Sequence, residues 1–265
     1  MARPSARDRI TLGKTGIKVS RIAMGTGFKG FNRVSNQTRM GQDGFNRLMR
    51  HGFDNGLNFY DLADLYGSHT YMKETLHQIP RDQVVLLSKI WFTDTEVMQA
   101  TDRAIPSVER FRQELGTEMI DICLIHCVTD ADWTSHRARM RDELSELKSK
   151  GVVRAIGCSC HDFDALQVAA RDPWVDVIFA RINNQAKVMD HKDPNAVAAV
   201  LKEARANGKA VVGMKIFGAG QLIEPQQRDE SLRYVWGNGL VDAMTIGFEK
   251  ADQIDDTVGR LTRVL

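Results

Sequence analysis

Eight short apolar runs, separated by longer amphipathic segments, constrain this chain more than any other feature. They are SRIAMGT (20–26), NFYDLAD (58–64), VVLLSKI (84–90), IDICLIHC (120–127), VRAIGCSC (153–160), VDVIFARI (175–182), AVVGMKIF (210–217) and DAMTIGF (242–248). They are rich in Val, Ile and Phe and often bounded by Gly, Asp or Pro, as strands are. The intervening segments read as helices. DELSELKSKG (142–151) places Leu144 and Leu147 on one face and ends in Lys150 and Gly151, a good C-cap. AVAAVLKEARANG (196–208) ends the same way in Asn207 and Gly208. Near-continuous apolar strands alternating with helices predict a parallel sheet covered on both faces. Eight such units favour a closed (β/α)8 barrel over an open sheet. RITLGKTGIKVS (9–20) precedes the first unit and reads as a β-hairpin around Gly13 and Gly16, a plug for the barrel's N-terminal end.

Composition bounds the rest. The 265 residues are 43% hydrophobic, enough for one substantial core, and a single barrel domain over 1–265 is expected. Lys+Arg 36 against Asp+Glu 34 gives a net charge of +2, no field for nucleic acid. No apolar run reaches the roughly 18 residues of a membrane span. The basic N-terminus MARPSARDRITLG lacks the apolar stretch of a secretory signal. A cytoplasmic protein is expected, with Cys123, Cys127, Cys158 and Cys160 as reduced thiols. Strand alternation turns all four outward, under the helices, with Cys160 the main candidate exception. No metal site is expected. Two long irregular segments, 27–41 and 128–137, follow barrel strands and should lie over the active face.

In barrels of this kind the chemistry sits at the C-terminal rim of the strands. Asp61 ends the second run, with Asp64 and Tyr66 just beyond. Lys89 ends the third run, His126 the fourth and Ser159 the fifth. A buried lysine needs a partner, and Asp61 would supply it. A nearby ammonium lowers a phenol from its ordinary value of about 10. His126 would orient a substrate oxygen. Together they make a proton donor and an oxyanion pocket for reducing a carbonyl, with hydride from a cofactor.

The contexts FYDLADLYG, LLSKIW and DICLIH make the chain resemble the aldo-keto reductase superfamily, a (β/α)8 barrel with an N-terminal hairpin. The likeness runs from LGKTGIKVSRIAMGT to IGFEKADQIDDTV. It implies Asp61, Tyr66, Lys89 and His126 as the catalytic group, with Tyr66 as general acid in reduction. It also implies NADP(H) or NAD(H) bound extended across the rim, with an aldehyde, ketone or sugar, or the corresponding alcohol, as substrate. By the same likeness Gly25 and Thr26 approach the nicotinamide, Ser159 and the neighbouring Cys160 face its carboxamide, and Asn183 follows strand six. Cys160 stands where the family usually has Asn, and Phe179 where it usually has Gln. Lys215 and Gly218 to Gly220 fall at the pyrophosphate. Near the end, Glu249 would accept from a free ribose diol whereas Lys250 would favour a 2′-phosphate, so the sequence leaves both cofactors open. A non-catalytic dinucleotide-binding barrel acting as a sensor or partner subunit is the alternative. A barrel enzyme using Lys89 or Lys215 as a Schiff-base nucleophile is a third reading.

Overall fold

The computed structural model describes residues 5–265. The hairpin is formed by β1 (Arg9–Thr11) and β2 (Lys18–Ser20), antiparallel with Ile10 opposite Val19. Eight parallel strands follow: β3 (Ile22–Gly25), β4 (Phe59–Asp61), β5 (Val85–Ile90), β6 (Ile120–Val128), β7 (Val153–Cys160), β8 (Val177–Arg181), β9 (Ala210–Met214) and β10 (Ala243–Ile246). They close in chain order, with β10 pairing β3. Each of the eight apolar runs contributes one strand, and Asp61, Lys89 and Ser159 are still in the ladder where those strands reach the rim.

The helices are α1 (Asn36–Arg39), α2 (Gly41–Asp54), α3 (His69–Leu76), α4 (Ala104–Leu115), α5 (Trp133–His136), α6 (Ala138–Ser149), α7 (Phe163–Arg171), α8 (Pro194–Ala206), α9 (Pro225–Gly237) and α10 (Ala251–Val264). Their ends follow the local signals. Asp162 caps α7 by accepting from the Ala165 amide at 2.9 Å. Gly151 and Gly208 take φ of +72° and +82° just past α6 and α8, a left-handed conformation suited to glycine. The segments 27–41 and 128–137 contain the short helices α1 and α5 and follow the C-terminal ends of β3 and β6.

Period-two alternation divides the core into two layers. Phe59, Val85, Leu87, Ile122, Leu124 and Phe179 fill the barrel together with Leu12, Ile17 and Val19 of the hairpin. The hairpin is therefore the plug the sequence predicts. A Cβ on Gly13 would stand 2.5 Å from the Ala210 amide nitrogen, so the turn seats directly against the start of β9. Leu86, Cys123, Ile125, Cys158 and Cys160 pack outward with the helices. The alternation that sends Val85 and Leu87 inward also sends Lys89 inward, one step nearer the rim.

Candidate active site

Asp61, Lys89, Tyr66 and His126 converge at the C-terminal end of the barrel. Lys89, 1% exposed, donates from Nζ to Asp61 Oδ1 and, at 3.1 Å, to the Leu62 carbonyl. Asp61 Oδ2 accepts from Thr245 Oγ1 at 2.8 Å. The buried ammonium is thus paired, and its carboxylate is held from the far side of the barrel seam. After β4 the chain makes a single 3₁₀ turn, Asp64–Tyr66, and reverses at Gly67 with φ +65°. This swings the Tyr66 ring to 4.9 Å from Lys89 Nζ and its hydroxyl to 3.5 Å from His126 Nε2. A Cβ on Gly27 would stand 2.3 Å from that ring and one on Gly30 2.6 Å, so the loop after β3 clasps the tyrosine at two glycines.

Burial raises the Tyr66 phenol above its ordinary value, and the pull of Lys89 in the other direction does not overcome it. The expectation of a lowered phenol is therefore corrected: the hydroxyl is held in its protonated form. Lys89 is raised despite burial, because Asp61 and Tyr66 favour its charge. His126 is pushed well below its ordinary value by burial and then by Lys89, so it is a neutral imidazole. Its Nδ1 is buried and has no partner among the described residues. Trp91 packs edge-on to it at 5.4 Å.

Asp64 lies behind the site. It accepts from Arg110 at 2.6 Å and Arg33 at 3.3 Å, and Arg33 also reaches Glu114 at 2.7 Å. Glu114 in turn accepts from His69, whose other ring nitrogen meets Ser88 Oγ at 2.8 Å. This network ties the tyrosine-bearing turn to α4 and gives Asp64 a structural role.

A cavity of about 260 Å³ opens beside Tyr66 and Asp61. Gly25, Lys215, Gly220, Glu249, Gln253 and Asp256 are among its lining residues. The other residues expected to contact a cofactor are placed elsewhere. Thr26 is buried beneath the site and donates to the Asp61 carbonyl at 2.9 Å. Gly218 is buried beside Ala219 and Gly220, which are in the lining. Asn183 is consumed locally: its amide donates to the carbonyls of Lys187 and Lys215 and its oxygen accepts from the amides of Gln185 and Lys187. Lys250 is exposed at the start of α10, outside the lining.

Ser159 Oγ accepts from the Cys127 amide at 2.8 Å. Cys160, next in the strand, points outward, with its sulfur 3.8 Å from that of Cys158. The cysteine that departs from the outward pattern is Cys127 and not Cys160. Irregular pairing between β6 and β7 and a φ of +62° leave Cys127 half-buried at the rim. Phe179 lies 5.3 Å below Lys89 as an apolar floor.

Sequence reasoning missed five contributors. Thr245 was legible as a polar residue near a strand end. Gly27 and Gly30 had no signal short of the packing. Arg181 donates to Asp190 at 2.8 Å and to His161 Nδ1. His161 faces His126 with ring centroids 6.4 Å apart. Burial, then Arg181, lowers His161 to about 3, so it too is neutral.

The lining fits a ligand with a diphosphate. Lys215 is a half-buried cation with no carboxylate partner within ion-pair distance among the described residues. Gly218, Ala219 and Gly220, with φ of +58°, +54° and +87°, bring bare backbone to the same stretch. Such a turn suits close approach to phosphate. Among the described residues no group of three or more His, Cys, Asp or Glu side chains could hold a metal ion, and no helix is long and apolar enough to cross a membrane.

Residues 22–262 match the Aldo/keto reductase family. The chain belongs to that family. Among curated aldo-keto reductase relatives, methylglyoxal reductase DkgB of Yersinia pestis is 26% identical over 164 residues, 59% of this chain and 60% of that protein. The NADH-specific methylglyoxal reductase of Escherichia coli K12 is 27% identical over 201 residues, covering 69% of this chain and 61% of that protein. The matches thus span about three fifths of these relatives' lengths. A putative aldo-keto reductase from Pseudomonas aeruginosa superposes with a TM-score of 0.80 at 20% identity, over 98% of this chain and 96% of that one. At that identity the likeness bears on the barrel alone.

Proposed function

We propose that this aldo-keto reductase is an NAD(P)H-dependent oxidoreductase interconverting a small carbonyl compound and its alcohol, with Tyr66 as proton donor. One observation carries the reading. A phenol held protonated by burial stands between a paired ammonium and a neutral imidazole, at the mouth of a cavity suited to a dinucleotide. The methylglyoxal reductases among its relatives support an aldehyde or ketone as substrate.

Each residue has a task. Tyr66 Oη, as an O–H donor, polarises the carbonyl oxygen and gives up its proton as that oxygen becomes an alkoxide. Lys89 stabilises the phenolate left behind, and Asp61 with Thr245 keeps the lysine in place. His126, being neutral, orients the substrate oxygen without competing for the proton. Trp91 and Phe179 exclude water around the group. Lys215 and the Gly218–Gly220 turn would hold the cofactor's phosphates. A nicotinamide cofactor supplies the hydride when bound. In the oxidative direction Tyr66 would act as the base.

The raised Lys89 is a poor Schiff-base nucleophile, since only the neutral amine attacks. A purely binding barrel has no use for a buried Lys89–Asp61 pair beside a tyrosine. The test is Tyr66→Phe, assayed with a panel of small aldehydes and by nicotinamide fluorescence. Turnover should fall at least about 100-fold while cofactor binding persists. Near-parental turnover with every aldehyde would remove Tyr66 from the role of acid.

A further inference from the structure

The cavity has two chemically different ends, and this inference rests on the reading that it holds a nicotinamide dinucleotide. One end is the catalytic group. With a nicotinamide there, the adenosine half would be held by the remaining lining, which includes Lys215, Gly220, Glu249, Gln253, Asp256 and Thr257. At the far end two carboxylates face the cavity. Glu249 is oriented: its Oε1 accepts from Asn36 Nδ2 at 2.8 Å, and Asn36 Oδ1 is itself fixed by Arg39 at 3.1 Å. This leaves the second Glu249 oxygen free to accept from a ligand hydroxyl.

The positive groups nearby are already engaged. Arg228, the arginine in the lining, donates to the carbonyls of Leu222 at 3.2 Å and Ile223 at 3.0 Å. Its remaining nitrogen stands 3.6 Å from Asp256. The amides of Glu249 and Lys250, which could cradle a phosphate at the start of α10, both donate to Gln253 Oε1. Lys250, the residue that on sequence grounds could favour a phosphate, is exposed and outside the lining. The far end is therefore an acceptor of hydroxyl hydrogens, with no free cation in its lining to meet a dianion.

We propose that Glu249 selects NADH over NADPH: its carboxylate accepts from the ribose diol of the adenosine half and repels a 2′-phosphate, whereas Asp256 is paired with Arg260 at 2.7 Å. The discrimination parallels other dinucleotide sites in which an acidic side chain reads the diol. Titration of the intact protein with NADH and with NADPH, followed by nicotinamide fluorescence in the absence of substrate, tests this without relying on turnover. NADH should bind tighter by on the order of tenfold or more. Glu249→Gln keeps the shape and the Asn36 contact but removes the charge. It should weaken NADH a fewfold, strengthen NADPH and bring the two constants together, with the melting temperature reporting that the fold is intact. Lys250→Ala should leave the ratio unchanged.

NADPH binding as tight as NADH in the parent would overturn the proposal. So would a Glu249→Gln ratio equal to the parent's, or a selective loss of NADPH binding in Lys250→Ala. Binding of neither nucleotide would overturn the cofactor reading itself, which is a different failure.

Discussion

Gly27→Ala tests whether the tyrosine clasp sets the catalytic geometry. The new Cβ would stand 2.3 Å from Cε2 and Cζ of Tyr66 and 2.5 Å from Cδ2, whereas ordinary contact begins near 3.4 Å. Ring or loop must therefore yield by about 1.1 Å, the difference of those distances. The ring has little freedom. On one side Gly30 allows no closer approach, since a Cβ there would already be 2.6 Å away. Elsewhere it meets the Lys89 ammonium and the edge of His126, with centroids 5.6 Å apart. Overpacking of this kind costs about 1–3 kcal/mol of stability, which a barrel of this size tolerates. A displacement of about 1 Å at the reacting group costs about 100-fold in rate. The expected result is a folded protein that binds cofactor as the parent does but turns over small aldehydes about 100-fold more slowly. Circular dichroism melting, nicotinamide fluorescence and steady-state kinetics separate the three quantities. Parental turnover by a folded Gly27→Ala protein would show that the loop gives way instead of the ring, and the clasp would then have no catalytic consequence.

Three other outcomes follow from the charges. Lys89→Met leaves Asp61 buried with Thr245 as its remaining side-chain partner and should cost about 3–5 kcal/mol in urea unfolding; adding Asp61→Asn should restore most of the stability but none of the turnover. On the proposed role the reductive rate needs Tyr66 protonated, and its value is raised above 10.0, so kcat/KM should hold through neutral pH and decline only in strong alkali; the neutral His126 adds no break near 6.5, and a descending limb between about pH 6 and 8 would contradict the assignment. Burial pushes the Glu114 carboxyl up, but His69 and Arg33 outweigh it and bring it down to about 2. A depressed carboxylate contributes stability above its ordinary value, 4.5, and loses that contribution as pH falls toward 2. Glu114→Gln should therefore flatten the fall of unfolding free energy across that window, measured by urea titration at each pH.

The barrel and the meeting of Asp61, Lys89 and His126 at its rim were legible because both depend on local periodicity. A strand's alternation decides which side each residue takes, and it continues to the strand's last residue. Leu87 inward implies Lys89 inward, and Leu124 inward implies His126 inward. A polar residue at the inner rim of an apolar run is thus visible without any tertiary information. The same rule correctly turned Cys158 and Cys160 outward and would have revealed Thr245 and His161. It failed at Cys127, where a pairing irregularity between β6 and β7 breaks the period on which it depends.

Three decisions belonged to the tertiary structure. Whether Tyr66 is raised or lowered depends on the balance of burial against Lys89, a quantity that no spacing encodes. The hold on Asp61 comes from Thr245, 184 residues away, across the seam where β10 meets β3. And of Glu249 and Lys250, adjacent in sequence and opposite in charge, only Glu249 lines the cavity. Sequence alone placed Asp61, Lys89 and His126 at one rim, because alternation is a property of the strand itself. The balance of charge around them arises only when distant segments meet, because electrostatic free energy depends on distance and burial and not on order along the chain.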